Sequence, residues 1–271
     1  MHAAPFDRLF PYRPPIIAMV HVPALPGTAA SDLSPGAIVS TVEDQARLYE
    51  EAGFDAIIIE NMHDTPYLRR EVGPEIVATM TACARAATEC IEIPVGVQIL
   101  AGANRAALAC AHASGASFIR AEGFAFASVA DEGLLDEADA GALLRYRRAI
   151  DAEDVLILAD VKKKHSSHAI TADISLAETA QSCAFMRADG LVVTGESTGR
   201  ETDLGDVEET RDATDLPVIV GSGVNESNIE QTLGLAHGVI VGSSIKRDGD
   251  WRNDPDPARC EALLRSAGRE R

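Results

Sequence analysis

Lysine is almost missing from this chain. Only Lys162, Lys163, Lys164 and Lys246 are present among 24 basic residues, so arginine supplies the other twenty, and 42 acidic residues leave a net charge of −18. A surplus of that size repels phosphate backbones and argues against nucleic acid as a partner. Aromatic residues are scarce at 4% against 46% hydrophobic residues, so the expected core is aliphatic. No apolar run approaches the roughly 18 residues needed to cross a bilayer, and none is expected to insert. The opening MHAAPFDRLFPYRPP lacks the positive region and apolar stretch of a signal peptide, which gives a cytoplasmic expectation. The five cysteines (Cys83, Cys90, Cys110, Cys183, Cys260) form no C-x-x-C pair, so they read as reduced, packed thiols. No metal site and no cofactor are expected. Acidity with little lysine is the composition of a protein that stays soluble in high salt, although a GC-rich genome accounts for the arginine bias equally well.

What is present is a repeating pattern. Continuous β-prone runs occur at 16–20, 56–60, 95–99, 117–121, 155–159, 190–194, 217–221 and 238–242. They do not alternate with polar residues, as expected of parallel strands buried on both faces. Amphipathic helical segments such as VSTVEDQARLYEEAG (39–53) lie between them. Eight strand–helix units in about 250 residues are the signature of an α/β fold of the (β/α)8 TIM-barrel type. A doubly wound open sheet competes, but no G-x-G-x-x-G follows the first strand. One domain over 1–271 is expected, with surface segments at 1–15 and from about 250 onward.

Barrel chemistry sits at the C-terminal ends of the strands. Those ends carry His21, Glu60 with Asn61, Gln98, Arg120 with Glu122, and Asp160 followed by KKKH. The later ends are TGESTGR (194–200), GSGVNESN (221–228) and GSSIKRDGD (242–250). Gly221, Ser222 and Gly223, with a helix expected near Asn225, and Gly242 with Ser243 make two small-residue turns after neighbouring strands. Glycine lets a phosphate approach such backbone amides closely, although a tight turn without ligand uses glycine equally well. Glu60, Asp160, Lys164 and His165 offer an acid, a base and an electrophile or Schiff-base amine in one rim, with a structural ion-pair network as the alternative. His21 reads either as a rim group or as a packed imidazole; His63, His112 and His237 receive no role. Strand alternation sets Asp160, Lys162 and Lys164 on one side and Lys163 on the other. Lys163→Ala is therefore expected to leave activity and Lys164→Ala to abolish it.

The segments AMVHVPALPG (18–27), GFDAIIIENMHDTPY (53–67), PVGVQIL (94–100), FIRAEG (118–123), ADVKKKHS (159–166), VTGESTG (193–199), VGSGVNESNI (220–229) and GVIVGSSIKRDGD (238–250) together resemble the BtpA/SgcQ family. The resemblance implies a barrel with a phosphate-type site. Some members are named for photosystem I biogenesis, and others sit among sugar-metabolism proteins or carry nucleosidase-type labels. It carries over His21, Glu60, Asn61, Arg120, Asp131, Gly133, Asp160, Lys164, His165, Thr194, Gly195 and the glycine loops. Asn61, Arg120, Asp131, Thr194 and Gly195 are the expected substrate-binding set. Gln98 departs from a usual asparagine, Ala121–Glu122–Gly123 from an apolar–Asn–apolar segment, and Lys162 from a variable position. Two functions follow as expectations. One is an enzyme acting on a small phosphorylated sugar or nucleoside-derived metabolite by acid–base chemistry. The other is a biogenesis or stability factor for a membrane complex, without catalysis. Self-association into a homo-oligomer is left open.

Overall fold

β-Branched residues crowd the apolar runs, and in the computed structural model, which describes residues 5–195 and 201–269, every run becomes a parallel strand. The barrel strands are β1 (Ile16–His21), β2 (Ala56–Glu60), β3 (Val95–Gln98), β4 (Phe118–Ala121), β7 (Leu156–Asp160), β9 (Gly190–Val193), β10 (Val218–Val220) and β11 (Gly238–Val241). They close in the order β1-β11-β10-β9-β7-β4-β3-β2. Three short strands, β5 (Ser128–Ala130), β6 (Gly133–Leu135) and β8 (Ser166–Ser167), make a separate antiparallel sheet that the sequence reading did not anticipate.

Strand alternation divides the apolar residues into two cores. Ile16, Ala18 and Val20 of β1 pack toward the helices, whereas Ile17 and Met19 join Ile58, Phe118 and Leu158 inside the barrel. Gly96 leaves the space that the Phe118 ring fills, for a Cβ there would lie 2.2 Å from the ring, and Gly190 does the same for Leu158 at 2.8 Å. Continuing the alternation to the strand ends brings His21, Glu60, Gln98, Arg120 and Asp160 inward as a polar layer over the apolar interior.

The connecting helices are α2 (Pro35–Ala52), α3 (Pro74–Cys90), α4 (Asn104–Ser114), α5 (Ala140–Ala149), α6 (Leu176–Phe185), α7 (Leu204–Asp212) and α8 (Ile229–Leu235). Helix α2 starts where the Ser34 hydroxyl accepts from Ala37 N–H, and stops at Gly53 with φ 105°. Two expectations for the chain ends are corrected. Residues after 250 include α9 (Pro257–Ser266), the eighth barrel helix, whose Cys260, Leu263 and Leu264 are buried. At the other end α1 (Pro5–Leu9) inserts Phe6 into the barrel interior and closes its lower mouth. Apolar spacing too short to register as periodic hid both. No helix among the described residues is long and apolar enough to cross a membrane.

Candidate active site

Parallel register fixes the first pair of site residues. His21 stands opposite Glu60, and Glu60 opposite Gln98, at the C-terminal ends of adjacent strands. His21 Nε2 lies 3.9 Å from Glu60 Oε2. On its other side, His21 Nδ1 is 2.9 Å from the Trp251 carbonyl oxygen. A carbonyl only accepts, so Nδ1 carries the proton and the neutral ring offers the Nε2 lone pair to Glu60 and the cavity. Burial, reinforced by the Lys246 charge, holds His21 well below its ordinary value, so the ring is neutral at pH 7. Burial pushes the Glu60 carboxyl up, against the opposing pull of Lys164 and Arg120.

Arg120 and Asp160 form the second unit. Arg120 stands opposite Leu158, so Asp160 is its diagonal neighbour, within reach of a long side chain. The guanidinium donates to both carboxylate oxygens, Nε at 2.7 Å and Nη2 at 3.1 Å. Burial works against the charge on Arg120, but Asp160 outweighs it and raises the arginine further. Arg120 faces the cavity and Asp160 stands behind it, which makes Asp160 the residue that aims the guanidinium.

The lysine run separates in a way that strand alternation does not give, because β7 ends at Asp160 and residues 161–165 bend. Lys162 Nζ donates to the Ile174 carbonyl at 3.0 Å. Lys163 is buried, away from the cavity as expected, but it is not a bystander: its amine pairs with Glu122 at 3.3 Å and Glu132 at 3.6 Å. Lys164 alone of the three lines the cavity. Its amine has no hydrogen bond or ion pair among the described residues. Burial first, and then Arg120, lowers its pKa.

One cavity of about 280 Å³ joins these groups to the glycine loops. Its lining includes His21, Glu60, Arg120 and Lys164 together with Gly221–Asn225, Gly242–Ser244 and Arg259, and the two sets meet where Gly242 lies against the His21 ring and Gly221 against the Arg120 guanidinium. The amides of Ser222, Gly223, Val224, Ser243 and Ser244 have no backbone partner among the described residues. Gly221 is required by packing, since a Cβ would fall 2.5 Å from Val192 Cγ1. The expected helix start near Asn225 is corrected to Ile229, because Asn225 N–H is taken by the Asn228 side chain at 2.9 Å and Ser227 N–H by the Asn225 side chain at 2.9 Å. Gly195 N–H donates to the Ser222 hydroxyl at 2.8 Å, which fixes one loop on the next. Residues 196–200 of TGESTGR lie outside the described residues.

Several expected residues stand apart from this cavity. Asn61 is buried as a scaffold, accepting from Leu100 N–H at 2.7 Å and donating to Asp64 at 2.8 Å. His165 and Asp131 face each other at 3.8 Å beside the β5–β8 pair, and Asp131 is largely exposed. Thr194 reaches the Lys162 carbonyl at 3.5 Å. Gln98 keeps a buried oxygen without a hydrogen-bond partner among the described residues. The sequence reading missed Arg259, Lys163, and the Trp251 side chain, which packs on His21 and His63 with ring centroids 5.9 and 5.0 Å away. Being the one tryptophan, in the loop that follows the last barrel strand, was a usable signal for Trp251. Among the described residues, no three His, Cys, Asp or Glu side chains are grouped to hold a metal ion.

Closed barrel and polar mouth together define a TIM-barrel protein with a ligand-type cavity at the C-terminal face of its strands. The chain belongs to the BtpA family, which it matches over residues 12–269. It is 43% identical over 258 residues to a mitochondrial protein of Caenorhabditis elegans, covering 93% of this chain and 92% of that one. It is 37% identical over 251 residues to the photosystem I biogenesis protein BtpA of Synechocystis sp., covering 92% and 86%. Among solved structures, orotidine 5'-monophosphate decarboxylase from Methanocaldococcus jannaschii superposes with a TM-score of 0.57 at 15% identity, over 94% of this chain and 99% of that one.

Proposed function

We propose that this protein is an enzyme that acts on a small phosphorylated sugar or nucleoside-derived metabolite by acid–base chemistry at the barrel mouth. The observation that carries the reading is one cavity at the barrel mouth lined by two unlike sets of groups. One set offers backbone amides that have no backbone partner among the described residues, on glycine–serine loops with the Arg259 cation beside them, which is the chemistry of a phosphate cradle. The other offers a carboxyl pushed toward its neutral form, a neutral imidazole with a free lone pair, and an amine lowered toward its free-base form. In this reading Glu60 supplies protons, His21 Nε2 accepts them, and Arg120, aimed by Asp160, holds an oxygen of the substrate. The solved barrel cited above carries a phosphate ester in the name of its substrate, which agrees with the reading.

A second reading, a non-catalytic biogenesis factor for a membrane complex, is favoured by the name of the Synechocystis relative. It leaves the cavity unused, and the relative of higher identity is a mitochondrial protein of a nematode. The test is a thermal-shift and Trp251 fluorescence titration with inorganic phosphate, sugar phosphates and nucleosides. Stabilisation by a phosphate ester, lost in Ser243→Tyr, supports the enzyme. No shift with any of them, together with co-purification with a membrane complex, sinks it.

A further inference from the structure

Three of the four lysine amines are occupied: Lys162 by the Ile174 carbonyl at 3.0 Å, Lys163 by Glu122 at 3.3 Å, and Lys246 by the Gln45 side-chain oxygen at 3.2 Å. Among the described residues Lys164 Nζ is the exception, and Lys164 lines the cavity. A lysine in a half-buried cleft ordinarily secures a carboxylate or carbonyl, because a desolvated ammonium without a partner is costly. Here Asp160, the nearest carboxylate along the chain, is committed to Arg120 by two hydrogen bonds. The arrangement keeps an amine available to whatever enters.

We propose that Lys164 is an imine-forming lysine, so that the site takes a small phosphorylated aldehyde or ketone and holds it covalently through Nζ. This rests on the phosphate reading above and adds the functional group that the substrate must carry. Topology supplies the neighbours that the step needs. Lys164 lies in the loop after the fifth barrel strand and Glu60 ends the second, with His21 beside Glu60 in register, and all three line the cavity. The free amine attacks the carbonyl carbon, and its surplus proton moves to the new alkoxide to give a carbinolamine. Glu60 then protonates the carbinolamine hydroxyl, which leaves as water while the nitrogen lone pair forms the C=N bond. The remaining N–H proton returns to the Glu60 carboxylate. One amine and one carbonyl become one imine and one water, with no oxidant or reductant. His21, which lines the same cavity, is the unprotonated base available to such an adduct. The environment of Lys164, where burial and Arg120 favour the free base while Glu60, Asp160 and Glu122 oppose, leaves more reactive amine than an exposed lysine has. A cavity of about 280 Å³ suits a phosphate ester of a few carbons better than a dinucleotide.

The experiment incubates the full chain with dihydroxyacetone phosphate, glyceraldehyde 3-phosphate or ribose 5-phosphate in the presence of borohydride, followed by peptide mass mapping. Binding of glycerol 3-phosphate, which has no carbonyl, is followed in parallel by thermal shift. The expected result is an added mass of one probe less one oxygen on Lys164, about ten-fold above Lys162 and suppressed by glycerol 3-phosphate. If glycerol 3-phosphate stabilises the protein but no probe is trapped on Lys164, or labelling spreads evenly over the lysines, the imine is overturned and the phosphate reading stands. If neither glycerol 3-phosphate nor any probe binds, both fall.

Discussion

Two adjacent lysines make opposite demands on the fold. Lys163 neutralises Glu122 and Glu132 in a buried cluster, and its amine is held above the usual range because those carboxylates outweigh the cost of burial. Lys163→Met strands two buried carboxylates, and a loss of about 3–5 kcal/mol of stability is expected. Lys164→Met removes an amine with no hydrogen bond or ion pair among the described residues, so its midpoint should stay within about 1 kcal/mol of the parent while ligand-dependent chemistry disappears. Denaturant titration of the two variants checks the contrast, and equal midpoints would sink the account of Lys163. The same pair shows how far single residues were legible. Strand alternation separates Lys163 from Lys164 in the sequence, although β7 ends at Asp160 and a bent segment, not an extended one, sets where the two amines go. The sequence could not say that Lys163 would be the indispensable structural one, because Glu122 and Glu132 reach it from other elements. Asp160 follows the same logic: its charge was readable, but its commitment to Arg120 depends on a cross-strand diagonal.

Elements with strong local preferences were readable, and those built by side-chain capture were not. All eight barrel strands lie within two residues of their aliphatic runs, because continuous burial on both faces leaves an unmistakable pattern. The β5–β6–β8 sheet has three strands of two or three residues whose exposed Val129 and Leu134 give no consistent period. The short α8 begins late because Asn225 and Asn228 turn back on the preceding backbone. Lys246 was invisible as a structural element, yet it joins the loop after β11 to α2, donating to Gln45 with its amine 5.5 Å from the Tyr49 ring. Burial brings its pKa down to about 8. Below that value the lysine is charged in both states and folding carries the desolvation cost. Between about 8 and about 10.4 the unfolded chain holds a proton that the folded chain has lost, so stability rises with pH, by about 3 kcal/mol in all. Cys260, pushed up to about 12 by burial, and Tyr49, pushed up by burial, face the same amine and act in the opposite sense. Subtracting the stability curve of Lys246→Met removes them to first order. The wild-type minus variant difference should grow through this window; parallel curves would show that Lys246 is solvated after all.

At the scale of the whole molecule, the charge balance remains after every local pairing is made. Surface pairs such as Arg13–Asp55 at 2.8 Å and Arg85–Glu89 at 2.6 Å use up arginines, but 24 basic residues cannot offset 42 acidic ones. The residual −18 opposes compaction by self-repulsion. Salt acts on the two contributions in opposite directions. It weakens exposed pairs, each worth about 1 kcal/mol or less, and it screens the long-range repulsion. The Debye length falls from about 30 Å at 0.01 M to about 3 Å at 1 M. The surplus repulsion is therefore nearly unscreened at the low end and absent at the high end, while close pairs lose only part of their attraction. The expected outcome is a melting temperature that climbs steadily with KCl across this range, and partial unfolding in dilute buffer. Calorimetry in KCl, repeated in NaCl, reads it directly. A flat or falling curve would mean that surface pairing already balances the field. In that case the scarcity of lysine would reflect codon usage alone, and the acidic surface would contribute to solubility without adapting the fold to salt.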